Sequence, residues 1–237
     1  MSYGLGVKRP GITGDKARER ARLSRDRVLL GAVAVADAGG IGSLTIRSLA
    51  QALEVRPMSV YYHVANKDEI LDGIVDAVFG EIELPTAGGD WRSEIRRRAI
   101  SARQVLRNHP WAIGLLESRT TPGPATLRHQ EAVIATLREA GFSVQMTAHA
   151  YALIDSYTYG FALQEAALPF ERREAVTEVA EPITDHFSAG DYPRLAEMAT
   201  EYYLRPGYNF ADEFELGLSV ILDALTRSIP AKLGETP

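Results

Sequence analysis

Residues 44–71 read LTIRSLAQALEVRPMSVYYHVANKDEIL, and they hold two short helical patterns separated by a turn too tight for anything else to intervene. Thr45 is placed to cap the first helix, whose apolar positions Ile46, Leu49, Ala50 and Leu53 recur at i, i+3, i+4 and i+7. Arg47, Ser48 and Gln51 fall on the opposite face. Pro57 suits the first position of the next helix, where its missing N–H would have no partner anyway. Val60 and Val64, four apart, turn inward and leave Met58, Ser59, Tyr61 and Tyr62 facing out. Asn66-Lys67-Asp68-Glu69 then reads as a capping box, opening a helix over about 67–84 with Ile70, Leu71, Ile74, Val75 and Val78 inward. Upstream, Ser24 caps a helix carrying Leu29, Val33 and Ala36 on one stripe, and Gly39-Gly40 closes it. Two short helices packed on a longer first one make a three-helix helix-turn-helix, whose second short helix enters the DNA major groove.

The charge distribution agrees with that reading. The net charge is −5, yet residues 1–67 carry 11 lysines and arginines against 5 acids, while the remainder carries 15 against 26. A basic head on an acidic body is the footprint of a phosphate-binding module, although basic arms are also common as solvated tails. With no cysteine, the chain has no disulfide, thiolate–zinc site or thiol nucleophile. No apolar run reaches the ~18 residues of a membrane span, and no N-terminal apolar region suggests a secretory signal. The expectation is a soluble cytoplasmic protein that engages no membrane.

The run over 44–71 closely resembles the DNA-binding region of the tetracycline-repressor (TetR) family. The shared features are a Leu-Thr-x-Arg-x-Leu-Ala second helix, a recognition helix ending in Tyr-x-His, and the following Asn-Lys. The resemblance covers residues 24–75. It is looser in the body, through LRNHPW, LREAGFS and YNFADEFELGLSVILDAL. It implies an all-α homodimeric regulator whose body binds a small molecule and lowers DNA affinity. Carried over by position, it places Thr45, Arg47, Pro57, Met58, Ser59, Tyr61, Tyr62, His63 and Lys67 at double-stranded operator DNA. Arg47 suits a bidentate contact to guanine, Met58 a thymine methyl, and Lys67 a phosphate near its helix N-terminus. Read singly, Arg47 is also a solvated surface charge, Tyr62 a packing residue and His63 a helix-end cap.

Three domains are expected: a basic arm over 1–23, the helix-turn-helix over 24–71, and a helical ligand-binding and dimerisation domain over 72–237. Within the body, helical patterns occupy about 91–108, 110–117, 125–140, 143–168, 193–200 and 211–228, with a charged connection over 169–192. The helix at 143–168 has two stripes, Ala150-Ile154-Tyr157-Phe161 and Tyr151-Asp155-Thr158-Ala162. Two stripes predict two packing partners, one inside the subunit and one outside it. The helix at 211–228 presents Phe214, Leu218, Ile221, Leu222 and Leu225 on one broad face.

Candidates for an effector cavity are Trp111, Leu115, Gln130, Ile134, Tyr151 and Tyr157, since pockets combine apolar walls with a few polar groups. Each is also an ordinary core position. Leu115 and Leu116 stand where tetracycline-binding members place a magnesium-linked histidine, so the expected effector is apolar or aromatic and needs no metal or cofactor. His109 reads as a helix-boundary residue. No GxSxG, HExxH or phosphate-cradling glycine loop is present, and the five histidines are dispersed, so no catalytic residues are assigned. The reading is a ligand-responsive repressor that binds a palindromic operator as a homodimer. The alternative is an architectural, ligand-independent DNA-binding protein.

Overall fold

The computed structural model describes residues 23–116, 118–119, 121–168 and 192–229, and their regular structure is entirely helical. The expected arm over 1–23 lies almost wholly outside the described residues, as does the connection over 169–192. The chain divides into two compact units, Met1–Ile74 and Val75–Pro237.

In the first unit α1 spans Arg25–Gly39, α2 Ile46–Ala52 and α3 Pro57–Val60, and α4 begins at Lys67 and runs to Glu81. Ser24 starts α1 as expected, its Oγ accepting from the Arg27 N–H at 3.2 Å. Gly40, at φ 74°, ends it in a conformation that few other residues adopt readily. Thr45 and Ser48 cap α2 reciprocally: the Ser48 N–H donates to Thr45 Oγ1 at 3.0 Å and the Thr45 N–H to Ser48 Oγ at 2.9 Å. Serine thus does the work usually given to Glu or Gln at this position. Glu54, between α2 and α3, has φ 57°, the one positive φ outside glycine among the described residues. The regular part of α3 is a single turn, followed by turns through His63. Val28, Leu29, Ala32, Val33, Ala36, Leu49, Ala50, Leu53, Val60, Val64, Ile70 and Ile74 are buried. Burying a side chain of the Val/Leu/Ile kind contributes roughly 1.5–3 kcal/mol, so this apolar set holds the unit's short helices, which would be marginal alone.

The start of α4 departs from the expected box in one detail. Asn66 Oδ1 accepts from the Glu69 N–H at 2.8 Å, but Glu69 reaches back to the Ala65 N–H, at 2.7 Å, instead of to Asn66. The helix ends at Glu81, short of the expected 84, with Pro85 a few residues on.

The second unit holds the remainder of α4 and six further helices. These are α5 (Trp91–Asn108), α6 (Pro110–Leu116), α7 (Pro124–Glu139), α8 (Val144–Ala167), α9 (Pro193–Met198) and α10 (Phe210–Thr226). A π-helical turn, Ala199–Tyr203, follows α9. The long α8 packs on α5, α6, α7 and α10. Ile95, Ala99, Val133, Leu137, Phe142, Ala150, Ile154, Phe161, Phe214, Leu218, Leu222 and Leu225 form one core cluster. Its aromatic centre is Phe161, stacked on Phe210 at 4.6 Å and edge-on to Phe214 at 5.1 Å.

This packing corrects the assignment of the two α8 stripes. Ala150, Ile154 and Phe161 join the core with α10, while Thr158 and Ala162 on the other stripe are buried as well. Both stripes are therefore covered within the subunit, because α8 is flanked on several sides at once. The exposed apolar residues of these helices are others: Leu153 and Leu163 on α8, Leu216 and Val220 on α10.

Candidate functional site

Most of the residues expected to meet DNA are exposed on α2, α3, the turns after α3 and the start of α4. Arg47, Pro57 and Lys67 are exposed, as is Thr45, whose hydroxyl is engaged in its cap. Met58 is 68 % exposed, Tyr61 44 % and Tyr62 84 %. Ser59 and His63 are half-buried. These apolar and aromatic groups stay outside because Pro57 starts the turn and Val60 and Val64 take its inward positions, at 0 % and 3 % exposure. Nearby, Arg25 Nε donates to Glu69 Oε1 at 3.2 Å, and together with the Ala65 N–H it holds the Glu69 carboxyl below its usual range. The Ala65 contact is the larger cause.

The six effector candidates differ in burial and surroundings. Trp111 is buried, edge-on to the His109 ring at 6.0 Å, while Leu115 and Gln130 are half-buried and Ile134 is exposed. Tyr157 serves packing: it stacks on Phe214, and its hydroxyl donates toward the Glu213 and Phe214 carbonyls at 3.1 and 3.0 Å. Tyr151 is the candidate that reaches a polar centre. His109 is indeed a helix boundary, at the C-terminus of α5, and its Nε2 lies 3.1 Å from Glu81 Oε2.

That polar centre lies inside the body and turns on Arg98, His129 and Tyr159, to which the sequence reading gave no role. Arg98 of α5 is fully buried. Its Nη1 pairs with Asp155, its Nη2 donates to the Tyr159 hydroxyl at 3.1 Å, and its Nε donates to His129 Nε2 at 3.1 Å. The Tyr159 hydroxyl also donates to the other carboxylate oxygen of Asp155 at 3.4 Å, and Tyr151 lies close enough to feel the Asp155 charge. Burial, then the adjacent guanidinium, pushes His129 down to about 3 and keeps it neutral. Burial is also the main cause that pushes the Tyr159 phenol up to about 12 and raises Tyr151 further. A signal existed: Arg98 falls on the apolar stripe of α5 with Ile95, Ala99 and Ala102. An arginine on a buried stripe requires a carboxylate from a facing helix.

Two further contacts tie α4 to α7 within this unit. Asp76 Oδ1 accepts from the Thr126 N–H at 2.8 Å and from its hydroxyl at 3.0 Å, and Oδ2 accepts from the Ala125 N–H at 3.2 Å. Asp76 thereby caps α7 from another helix. Gly123 makes room for it, since a Cβ there would meet the Asp76 carboxyl carbon at 2.2 Å. One turn along each helix, the Phe79 and His129 rings lie 5.7 Å apart.

The sequence pattern of the tetracyclin repressor-like C-terminal domain matches residues 84–229. The chain belongs to the TetR family. Among this TetR-family regulator's relatives, an HTH-type transcriptional regulator of Saccharopolyspora erythraea is 36 % identical over 76 % of this chain and 77 % of its own. The HTH-type transcriptional repressor DrrR1 of Streptomyces coeruleorubidus is 32 % identical over 90 % and 81 %. Among solved structures, ActR of Streptomyces coelicolor in complex with actinorhodin superposes with a TM-score of 0.73. It has 27 % identity, and the match covers 89 % of this chain and all of ActR. The regulator's helix-turn-helix head and helical body are thus those of a TetR-family transcriptional regulator.

Proposed function

We propose that this regulator represses transcription by binding a palindromic operator as a homodimer, and that a small apolar or aromatic effector releases it without a metal. The observation that carries the reading is the outward set on α3. Met58, Tyr61 and Tyr62 lie exposed on α3 and the turns after it, with Arg47 exposed on α2 and Lys67 at the start of α4, and such groups can meet phosphates and base edges. Arg47 would read a guanine edge, Lys67 would hold a phosphate, and Thr45, Pro57, Ser59 and His63 would fix register. The dimer face would be formed by Leu153 and Leu163 with Leu216 and Val220, exposed on the two helices that pack together as α8 and α10. The protein would work in the cytoplasm, where its operator is.

The ActR complex and the repressor DrrR1 support an effector-controlled repressor. Release would follow from linkage: an effector that prefers the body in a state with wrongly spaced heads weakens DNA binding by the factor that DNA weakens effector binding. Helix α4 would carry the coupling, since it runs from Lys67 to Asp76 and Phe79, which are joined to α7.

Selection of bound duplexes from a random pool tests the reading directly. Sites with two-fold symmetry and half-sites about one helical turn apart are expected, roughly 34–36 Å. Asymmetric sites, or a monomer at micromolar concentration, refute it. Effector release that disappears in excess EDTA and returns with magnesium refutes the metal-free part.

A further inference from the structure

The buried centre around Arg98 pairs its charges with one another and leaves one ring nitrogen, His129 Nδ1, without a partner among the described residues. The Arg98 guanidinium is neutralised by Asp155, whose carboxylate also takes a hydrogen bond from Tyr159. Arg98 Nε donates to His129 Nε2, so that nitrogen holds the lone pair and Nδ1 of the neutral ring carries the hydrogen. His129 is 0 % exposed, and its Nδ1 has no hydrogen-bond partner among the described residues. Buried donors are rarely left in this condition, because an unpaired buried N–H is costly. The other unpartnered buried side-chain polar atom among them is Thr147 Oγ1, on α8 one turn before Tyr151 and two before Asp155. Both unpartnered groups thus belong to the facing pair α7 and α8 that also supplies His129, Tyr151 and Asp155.

We propose that His129 Nδ1–H is the donor that reads the effector, and that the effector is an uncharged, largely apolar aromatic bearing a carbonyl-type acceptor. This rests on the reading of the body as an effector-binding domain. The charge argument selects a neutral molecule. An anion would be brought beside the Asp155 carboxylate and a cation beside Arg98, and neither ion has a free counter-charge in the centre. The acceptor is required because the unpartnered His129 Nδ1 carries the hydrogen of the ring. The apolar remainder follows from the surroundings: Phe79 lies against the His129 ring, and Val133 and Leu137 continue its stripe along α7. The same histidine follows Thr126 by one turn, so a ligand on Nδ1 would act on the helix whose N-terminus Asp76 of α4 caps.

The test uses the full-length protein and a matched pair of probes, 9-fluorenone and fluorene, which differ in one carbonyl. Equilibrium dialysis should show roughly tenfold tighter binding of fluorenone, the worth of one buried donor otherwise unpaired. His129→Phe should abolish that preference while leaving fluorene binding unchanged, and His129→Gln, which keeps a donor and an acceptor, should restore part of it. Where the phenylalanine variant does not fold, nitrogen NMR of histidine-labelled wild type decides. Fluorenone, and not fluorene, should shift the protonated Nδ1 resonance of His129. Equal affinity for both probes, a preference that survives His129→Phe, an Nδ1 resonance that fluorenone leaves in place, or no binding of either probe overturns the proposal. Operator binding by the ligand-free protein is measured alongside. Its presence with any of those outcomes keeps the regulator and discards the donor, whereas its absence discards the regulator reading itself.

Discussion

Replacing Arg98 with methionine removes a fully buried cation while keeping most of its aliphatic volume. It leaves the Asp155 carboxylate, 13 % exposed, facing a neutral side chain, and strips His129 Nε2 and the Tyr159 hydroxyl of their donor. Breaking one side of a buried pair costs about 3–5 kcal/mol, most of it the uncompensated charge. Arg98→Met should therefore lower the unfolding free energy by that amount, read as a shift of the urea midpoint by circular dichroism. Asp155→Leu should cost a similar amount for the reciprocal reason. The double variant removes both charges together and should fall short of the summed single losses by about 2 kcal/mol or more, within the range measured for coupled neighbours. Strict additivity, or a loss under about 1 kcal/mol for Arg98→Met, would refute the account of the centre as one charge-coupled unit.

Other perturbations separate the parts of the molecule. His129 is held neutral down to about 3, against 6.5 when free, so the unfolded chain binds the extra proton between those values. Stability should fall as pH drops through that window, by up to about 1.4 kcal/mol per unit from this group, and His129→Gln should flatten the acid limb of a stability–pH curve. Asp76→Ala removes the cap of α7 and should cost about 1–2 kcal/mol in urea unfolding; Asp76→Asn, able to accept at one oxygen, should cost less. Glu54→Gly relieves the left-handed residue between α2 and α3 and should raise stability by up to about 1 kcal/mol, seen as a higher melting temperature. Arg47→Ala should lose ~1–3 kcal/mol of operator binding and relax preference at one base pair per half-site. Lys67→Ala should instead weaken all sequences alike and make the salt slope shallower by about one unit per subunit.

The head was legible in the sequence because its information is local. Ser24, Thr45 and Asn66 each bond an amide three residues on, and Val60 and Val64 lie one turn apart, so caps and stripes can be read from neighbouring letters. The helices of the body were legible to within a few residues for the same reason. What could not be read locally was which faces meet. The two stripes of α8 were visible, but whether their covering came from α10 or from outside the subunit depends on residues 50 to 60 positions away, as in Tyr157 bonding the Glu213 carbonyl. The buried centre shows the same limit more sharply. Arg98, His129 and Asp155 come from three helices, and each alone is an ordinary polar letter; their meeting is what makes His129 neutral and leaves its Nδ1–H without an acceptor. Local hydrogen bonding and periodicity settle the elements of this protein. Tertiary packing alone decides which charges lose water together, and so which groups are left able to recognise something else.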